Sequence, residues 1–228
     1  MSVHKKIVVD ILRHGEPEGG DILRGRVDPV LTDLGWRQMQ KAAALDNQQQ
    51  LSDQTPSWTH IISSPLQRCA GFAELVSARI GQPVNESEKW LEIDYGDWDG
   101  MPIEKWRTLA AGQFREFRKD MSKLAPPNGE DFLTFKDRIL GAWQELYELE
   151  DGSHVLVVTH GGVMRVVLPS VLGMPLNRSF PLHIPFACLS RICIEVKGEE
   201  HGGVGVEVNS QKISSSLLFH NGAEYITD

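Results

Sequence analysis

The chain has 228 residues, of which 41% are hydrophobic and 24% charged, and a formal net charge of -8. This is an ordinary globular composition, too acidic to attract nucleic acid without a basic cluster alternating with aromatics, and none is present. No apolar stretch approaches the length of a membrane span, so neither a nucleic-acid nor a membrane partner is expected.

Taken in chain order, the first apolar run, Ile7 to Leu12, is rich in β-branched residues and is stopped by Gly15 and Pro17. It reads as a strand buried on both faces, carrying Arg13 and His14 at its end. Asp10 and Arg13 interrupt the run too early for a signal peptide, which points to the cytoplasm. Thr32 is placed to cap a helix from about Asp33 to Gln50. A short strand Thr59–Ile62 follows, then a helix from Leu66 to about Ile80 with Arg68 near its start, ended by Gly81-Gln82-Pro83, and a further strand opening at Val84. Residues 90–127 are less regular, with helical pieces at Ile103–Leu109 and Gln113–Lys123, and read as an insertion flanking the site. An amphipathic helix spans about Asp131–Leu149, and the strand His154–Thr159 ends in His160-Gly161-Gly162. A helix then runs to Leu172, and late strands at Ser190–Val196 and Val204–Val208 are expected as a hairpin across Gly198–Gly203. Strands and helices alternate without a dividing linker. The expectation is one α/β domain over residues 1–228, a three-layer sandwich with a mainly parallel central sheet and helices on both faces. Cys69, Cys188 and Cys193 form neither a metal-type spacing nor a disulfide framework.

Two histidines and an arginine at neighbouring strand ends suggest an anion site. Four segments carry a more specific signal: Arg13-His14-Gly15, Ser63-Ser64-Pro65-Leu66-Gln67-Arg68, Leu91-Glu92-Ile93-Asp94-Tyr95-Gly96-Asp97-Trp98-Asp99-Gly100 and Thr159-His160-Gly161-Gly162. In this order they resemble the signature blocks of the histidine phosphatase superfamily, in its phosphoglycerate-mutase-like branch. Gly15-Glu16-Pro17, Leu172-Gly173-Met174-Pro175 and Pro185–Ser190 are further similar to α-ribazole phosphatase-like members. The resemblance implies a phosphomonoesterase that uses a phosphohistidine intermediate, needs no metal or other cofactor, and acts on α-ribazole 5'-phosphate or another small phosphorylated metabolite. It implies His14 as nucleophile, Glu92 as proton donor and acceptor, and His160 as a third catalytic residue. Arg13, Arg68, His160 and Gly161 would hold the phosphate, and Arg26, within Gly25-Arg26-Val27-Asp28-Pro29-Val30-Leu31-Thr32-Asp33-Leu34-Gly35, would touch substrate from the rim.

The chemistry of these residue types agrees with those roles. Phosphoryl transfer is catalysed mainly by positioning and by neutralising the equatorial oxygens, for which the forked donors of arginine are suited. Neighbouring cations disfavour the imidazolium form of His14 and so keep it nucleophilic. Two other activities fit the same blocks: a phosphoglycerate-type mutase, and a protein-directed phosphohistidine phosphatase or binding module. Mutases of the family continue the first block with a Trp-Asn pair where this chain has Gly19-Gly20. A pure binder has no need of Glu92. Oligomeric state is not legible in the sequence.

Overall fold

The computed structural model describes residues 4–45, 57–198 and 211–221. Its framework is a six-stranded sheet of β1 (His4–Arg13), β2 (His60–Ser63), β3 (Val84–Glu86), β4 (His154–Thr159), β5 (Leu189–Gly198) and β6 (Gln211–Asn221), in the order β3-β2-β4-β1-β5-β6. The first four run parallel, while β5 and β6 are antiparallel additions beside β1. The α/β architecture with a mainly parallel sheet is therefore as expected.

β1 lies between β4 and β5 and buries both faces, which is why its sequence is a nearly unbroken apolar run. Ile7, Val9 and Ile11 join a core beneath α5 (Phe132–Glu145) and α6 (Gly161–Val171). On the opposite face, Leu12, Leu156 and Val158 pack against α1 (Asp33–Ala42) and α2 (Gln67–Ile80) through Met39, Phe72 and Val76. The remaining helices, α3 (Ile103–Leu109) and α4 (Ala111–Lys119), lie in the 90–127 segment and add Trp106 and Phe117 to the first core.

Caps set several boundaries. The Thr32 hydroxyl accepts from the Gly35 amide at 2.9 Å and starts α1, and the Asp131 carboxylate accepts from Leu133 and Thr134 to start α5. Gly35 also lets the chain after β1 approach α1 closely, since a β-carbon there would lie 2.1 Å from the Glu16 carbonyl oxygen. α1 ends at Ala42 rather than near Gln50, because Ala44 takes a left-handed conformation with φ 53° and the Ala44 amide turns back to the Lys41 carbonyl. Residues 46–50 of the expected helix lie outside the described residues, as does the expected strand 204–208. The outer antiparallel neighbour of β5 is β6, a strand not expected from the sequence.

One polar cluster lies inside the sheet. Asp10 is fully buried and accepts from Arg191 (2.7 and 2.9 Å), from His154 Nε2 (2.9 Å) and from Trp58 Nε1 (2.8 Å). Burial alone would raise its pKa, but these donors outweigh burial and hold the carboxyl below the usual aspartate value. A depressed folded-state pKa stabilises above the unfolded value of 3.8 and is lost as pH falls through the folded value. Asp10→Ala leaves the buried Trp58 indole N–H without an acceptor and removes the partner of a partly exposed Arg191 guanidinium, and is expected to cost about 1–3 kcal/mol in urea unfolding at neutral pH. A loss below 1 kcal/mol would contradict this account of the cluster.

Candidate active site

Parallel pairing brings the chemistry together. Arg13 lies level with Thr159 in the β1–β4 register, and the His14 amide donates to the Thr159 carbonyl at 2.9 Å. The residues just past both strand ends are His14 and His160, whose rings meet edge to face with centroids 5.3 Å apart. β2 adds a third strand end, since the Ser64 amide donates to the Val158 carbonyl and the Ser64 hydroxyl lies 2.8 Å from His160 Nε2.

His14 is almost wholly buried, and its Nδ1 lies 2.8 Å from the Gly15 carbonyl oxygen. A carbonyl can only accept, so Nδ1 carries the proton and Nε2 keeps its lone pair in the neutral ring. Burial, then the charges of Arg13 and Arg68, push the pKa of His14 well below the usual imidazole value. His160 is depressed in the same way by burial and by Arg68, which favours a neutral hydrogen-bonding ring.

Arg13 ends β1 with one guanidinium nitrogen donating to the Ile184 carbonyl at 2.7 Å and its plane 4.3 Å from the Phe186 ring centroid. Burial lowers its pKa to about 10, which leaves it charged at neutral pH, and its Nε–H is buried without a partner. Arg68, the second residue of α2, is fully buried. Its terminal nitrogens donate to the carbonyls of Val27 (2.8 Å) and Gly25 (2.9 Å), while its Nε–H has no partner. Arg68 thus grips the 25–28 loop while its charge bears on both histidines. Orphaned guanidinium N–H groups beside two neutral imidazoles make a cradle suited to an anion.

Glu92 approaches from the segment after β3. Its Oε2 accepts from the Gly162 amide at 2.8 Å and its Oε1 from the Ile93 amide at 3.0 Å. Burial raises its pKa against the pull of these two N–H groups and of Arg68 and Arg13. Glu92 is positioned by Arg138 of α5, which donates to the carbonyls of Lys89 and Leu91 and pairs with Glu130 at 2.7 Å. Asn128 donates to Asp97, and Asp131 caps α5, so the 128–131 turn has structural work of its own.

Gly161 and Gly162 open α6. A β-carbon on Gly161 would sit 3.2 Å from Arg13 Nε, and one on Gly162 would sit 2.1 Å from Glu92 Oε1. Gly162 is thus obligatory for the carboxyl to reach the helix amide. Gly162→Ala is expected to lower kcat about 10- to 100-fold by displacing Glu92, with little loss of fold stability. Steady-state kinetics beside a thermal melt checks this, and unchanged kcat would show that the contact is not needed.

Arg13, His14, Glu92, Gly161 and Gly162 border a cleft of about 250 Å³ that Arg24, Arg165 and Phe186 also line. Arg24 and Arg165 went unnoticed in the sequence. Arg165 lies one helical turn after Gly161, a spacing that carries a signal. Arg24 takes its place through long-range contacts: the Asp99 carboxylate accepts from the amides of Gly25, Arg26 and Val27 at 2.6–2.7 Å and fixes the loop. Arg26, like Arg68 and His160, is not among the residues that line the cleft, but its charge bears on His160. Among the described residues, no group of three or more His, Cys, Asp or Glu side chains is arranged to hold a metal ion. No described helix is long and apolar enough to cross a membrane.

Comparison with known proteins matches residues 9–205 to the sequence model of the histidine phosphatase superfamily (branch 1). The chain is 32% identical over 176 residues to a glucosyl-3-phosphoglycerate phosphatase of Mycolicibacterium vanbaalenii, covering 73% of this chain and 75% of that protein. It is 26% identical to the adenosylcobalamin/alpha-ribazole phosphatase of Escherichia coli, covering 82% and 90%. Among solved structures, a mycobacterial glucosyl-3-phosphoglycerate phosphatase aligns with a TM-score of 0.67 at 25% identity, covering 84% of this chain and 91% of that one. The Bacillus stearothermophilus protein YhfR aligns with a TM-score of 0.70 at 26% identity, covering 86% and 93%.

Proposed function

The chain belongs to the histidine phosphatase superfamily, and on that premise we propose that it hydrolyses small phosphate monoesters through a phosphohistidine formed on His14. The observation that carries this reading is the Nδ1–H bond of His14 to the Gly15 carbonyl, which leaves Nε2 as a free lone pair beside two arginines. In the first step Nε2 bonds to phosphorus, the bond from phosphorus to the alcohol oxygen breaks, and protonated Glu92 gives its proton to that oxygen. The ring becomes cationic while it holds the phosphoryl group, and the Gly15 carbonyl stabilises that charge through Nδ1–H. In the second step water bonds to phosphorus, the Glu92 carboxylate takes its proton, and His14 leaves neutral. Arg13 and Arg68 neutralise the phosphoryl oxygens in both steps, His160 offers them a hydrogen bond, and Gly161 brings the start of α6 close to them.

The reading needs no metal, because guanidinium groups do the neutralising. Activity is accordingly expected to survive chelation by EDTA. The two similar phosphatases carry names with different substrates, glucosyl-3-phosphoglycerate and adenosylcobalamin or alpha-ribazole compounds. What the names share is a phosphatase and an organic alcohol, which supports a small phosphorylated metabolite, with α-ribazole 5'-phosphate one member of the class to be assayed. Incubation with a panel of metabolite phosphates that includes 3-phosphoglycerate tests the proposal. Release of inorganic phosphate supports it; conversion of 3-phosphoglycerate to the 2-isomer without phosphate release would replace it with a mutase.

A further inference from the structure

The guanidinium of Arg13 is held by the loop that leads into β5. It donates to the Ile184 carbonyl at 2.7 Å and sits 4.3 Å from the centroid of the Phe186 ring, which in turn lies 5.8 Å from the ring of His14. Ile184 and Phe186 line the cleft beside Arg13. The same loop closes on the end of β1 through two backbone bonds, from the Ala187 amide to the His14 carbonyl at 3.0 Å and from the Arg13 amide to the Cys188 carbonyl at 2.9 Å. Ala187 takes a left-handed conformation there, with φ 52°. A residue with a β-carbon keeps that conformation only where its surroundings impose it.

The edge strand β6 supplies a further hold. Ser190 of β5 stands level with Ile11 of β1 on one side and with His220 of β6 on the other. The buried Ser190 hydroxyl lies 2.7 Å from His220 Nδ1, and His220 Nε2 lies 2.8 Å from the His183 carbonyl oxygen. A carbonyl can only accept, so Nε2 carries a proton and donates it, while Nδ1 is engaged by the hydroxyl. The carbonyls of two successive residues are thus taken by two different side chains, His183 by the imidazole of the edge strand and Ile184 by the guanidinium in the cleft. A planar peptide unit joins them, so a shift at His183 is passed on to Ile184. No residue of β6 lines the cleft, and both ring nitrogens of His220 are occupied, so this imidazole is placed to fix the loop rather than to react.

We propose that His220 is a positioning residue for phosphoryl transfer, which through the 183–186 loop fixes the guanidinium of Arg13 in the geometry that the phosphoryl oxygens need. This role rests on the phosphatase reading. His220 touches neither the nucleophile nor the phosphate, and its influence reaches the reaction by way of Arg13. The dependence is steep, because a displacement of about 1 Å caused far from the chemistry can cost about 100-fold in rate.

Steady-state hydrolysis of 4-nitrophenyl phosphate tests this, with inorganic phosphate as a competitive inhibitor that probes the Arg13 cradle. His220→Leu removes both hydrogen bonds and is expected to lower kcat/KM on the order of 10-fold and to weaken phosphate inhibition by a similar factor. His220→Gln can place a side-chain N–H where Nε2–H stood, and is expected to recover most of both. The decisive reading is a double-mutant cycle with Arg13→Lys, whose ammonium has no fork to share between the Ile184 carbonyl and a phosphate. In that background His220→Leu is expected to cost less than about 2-fold, because the group it acts through is gone. An equal loss in both backgrounds would make His220 a merely structural residue and overturn the proposal, as would unchanged kcat/KM in folded His220→Leu. If His220→Leu does not fold, Ser190→Ala, which frees one side of the imidazole, takes its place in the cycle and is judged by the same two outcomes. Either overturning result leaves the phosphatase standing, whereas no phosphate release by the wild type would overturn both.

Discussion

His14→Ala releases phosphate from 4-nitrophenyl phosphate on the order of 10⁴-fold more slowly than the wild type, or not measurably. Of all the residues in the cleft, this one makes and breaks a covalent bond, and removing a nucleophile costs about as much as dismantling the whole catalytic set. The size of the effect follows from geometry. Nε2 is fixed toward the cleft by the Nδ1–H bond to Gly15, and no second imidazole can stand in, because His160 is tied to Ser64. The variant keeps the backbone bonds of residue 14 to Thr159 and Ala187, so a normal circular dichroism spectrum should accompany the loss. Effects of groups that act as a unit do not add, so His14→Ala combined with Glu92→Gln should be no slower than His14→Ala alone. Retained turnover in a folded His14→Ala protein would remove the nucleophile from the account.

Glu92→Gln carries the second-largest effect, and a leaving-group dependence identifies it. General acid assistance contributes about 10²- to 10⁴-fold, and most where the departing oxygen is basic. The variant should therefore lose that much kcat/KM, which reports the first step, on ethyl phosphate and far less on 4-nitrophenyl phosphate, whose phenolate leaves without a proton, while kcat falls on both because the second step lacks its base. The pH profile gives a further sign. Burial raises the Glu92 pKa, so the protonated form persists above the usual carboxylate range, and kcat/KM on ethyl phosphate should fall as pH rises through that raised value. A dianionic phosphate in the cleft shifts this fall further in the alkaline direction by the same electrostatics. The fall should be missing in Glu92→Gln. Equal losses of kcat/KM on both substrates, with an unchanged profile, would make Glu92 a structural carboxyl.

Much of this arrangement was legible because it depends on local signals. The Ile7–Leu12 and His154–Thr159 runs announce buried strands, and the residues that follow them hold the two imidazoles at the same sheet edge. α3 begins and ends where the sequence placed it, and α5 starts at an aspartate whose capping role is a near-neighbour effect. What escaped depends on contacts far apart in the chain. The truncation of α1 needs a left-handed alanine, with no glycine to announce it. β6 contains three consecutive serines and two adjacent leucines, so its alternation is broken, and only pairing with β5 makes it a strand. Arg24 enters the cleft because Asp99 grips the loop after it from more than seventy residues away.

The central claim is a covalent bond between phosphorus and His14 Nε2. Glu92→Gln offers the means to catch it, because 4-nitrophenyl phosphate still phosphorylates the enzyme while the water of the second step lacks its base. Quenching that reaction in alkali within a few turnovers and analysing the peptides by mass spectrometry tests the claim most directly. The account predicts one phosphoryl group per chain, on His14, stable to base and lost in acid. An unmodified protein, or a phosphoryl group on any other residue, would contradict it.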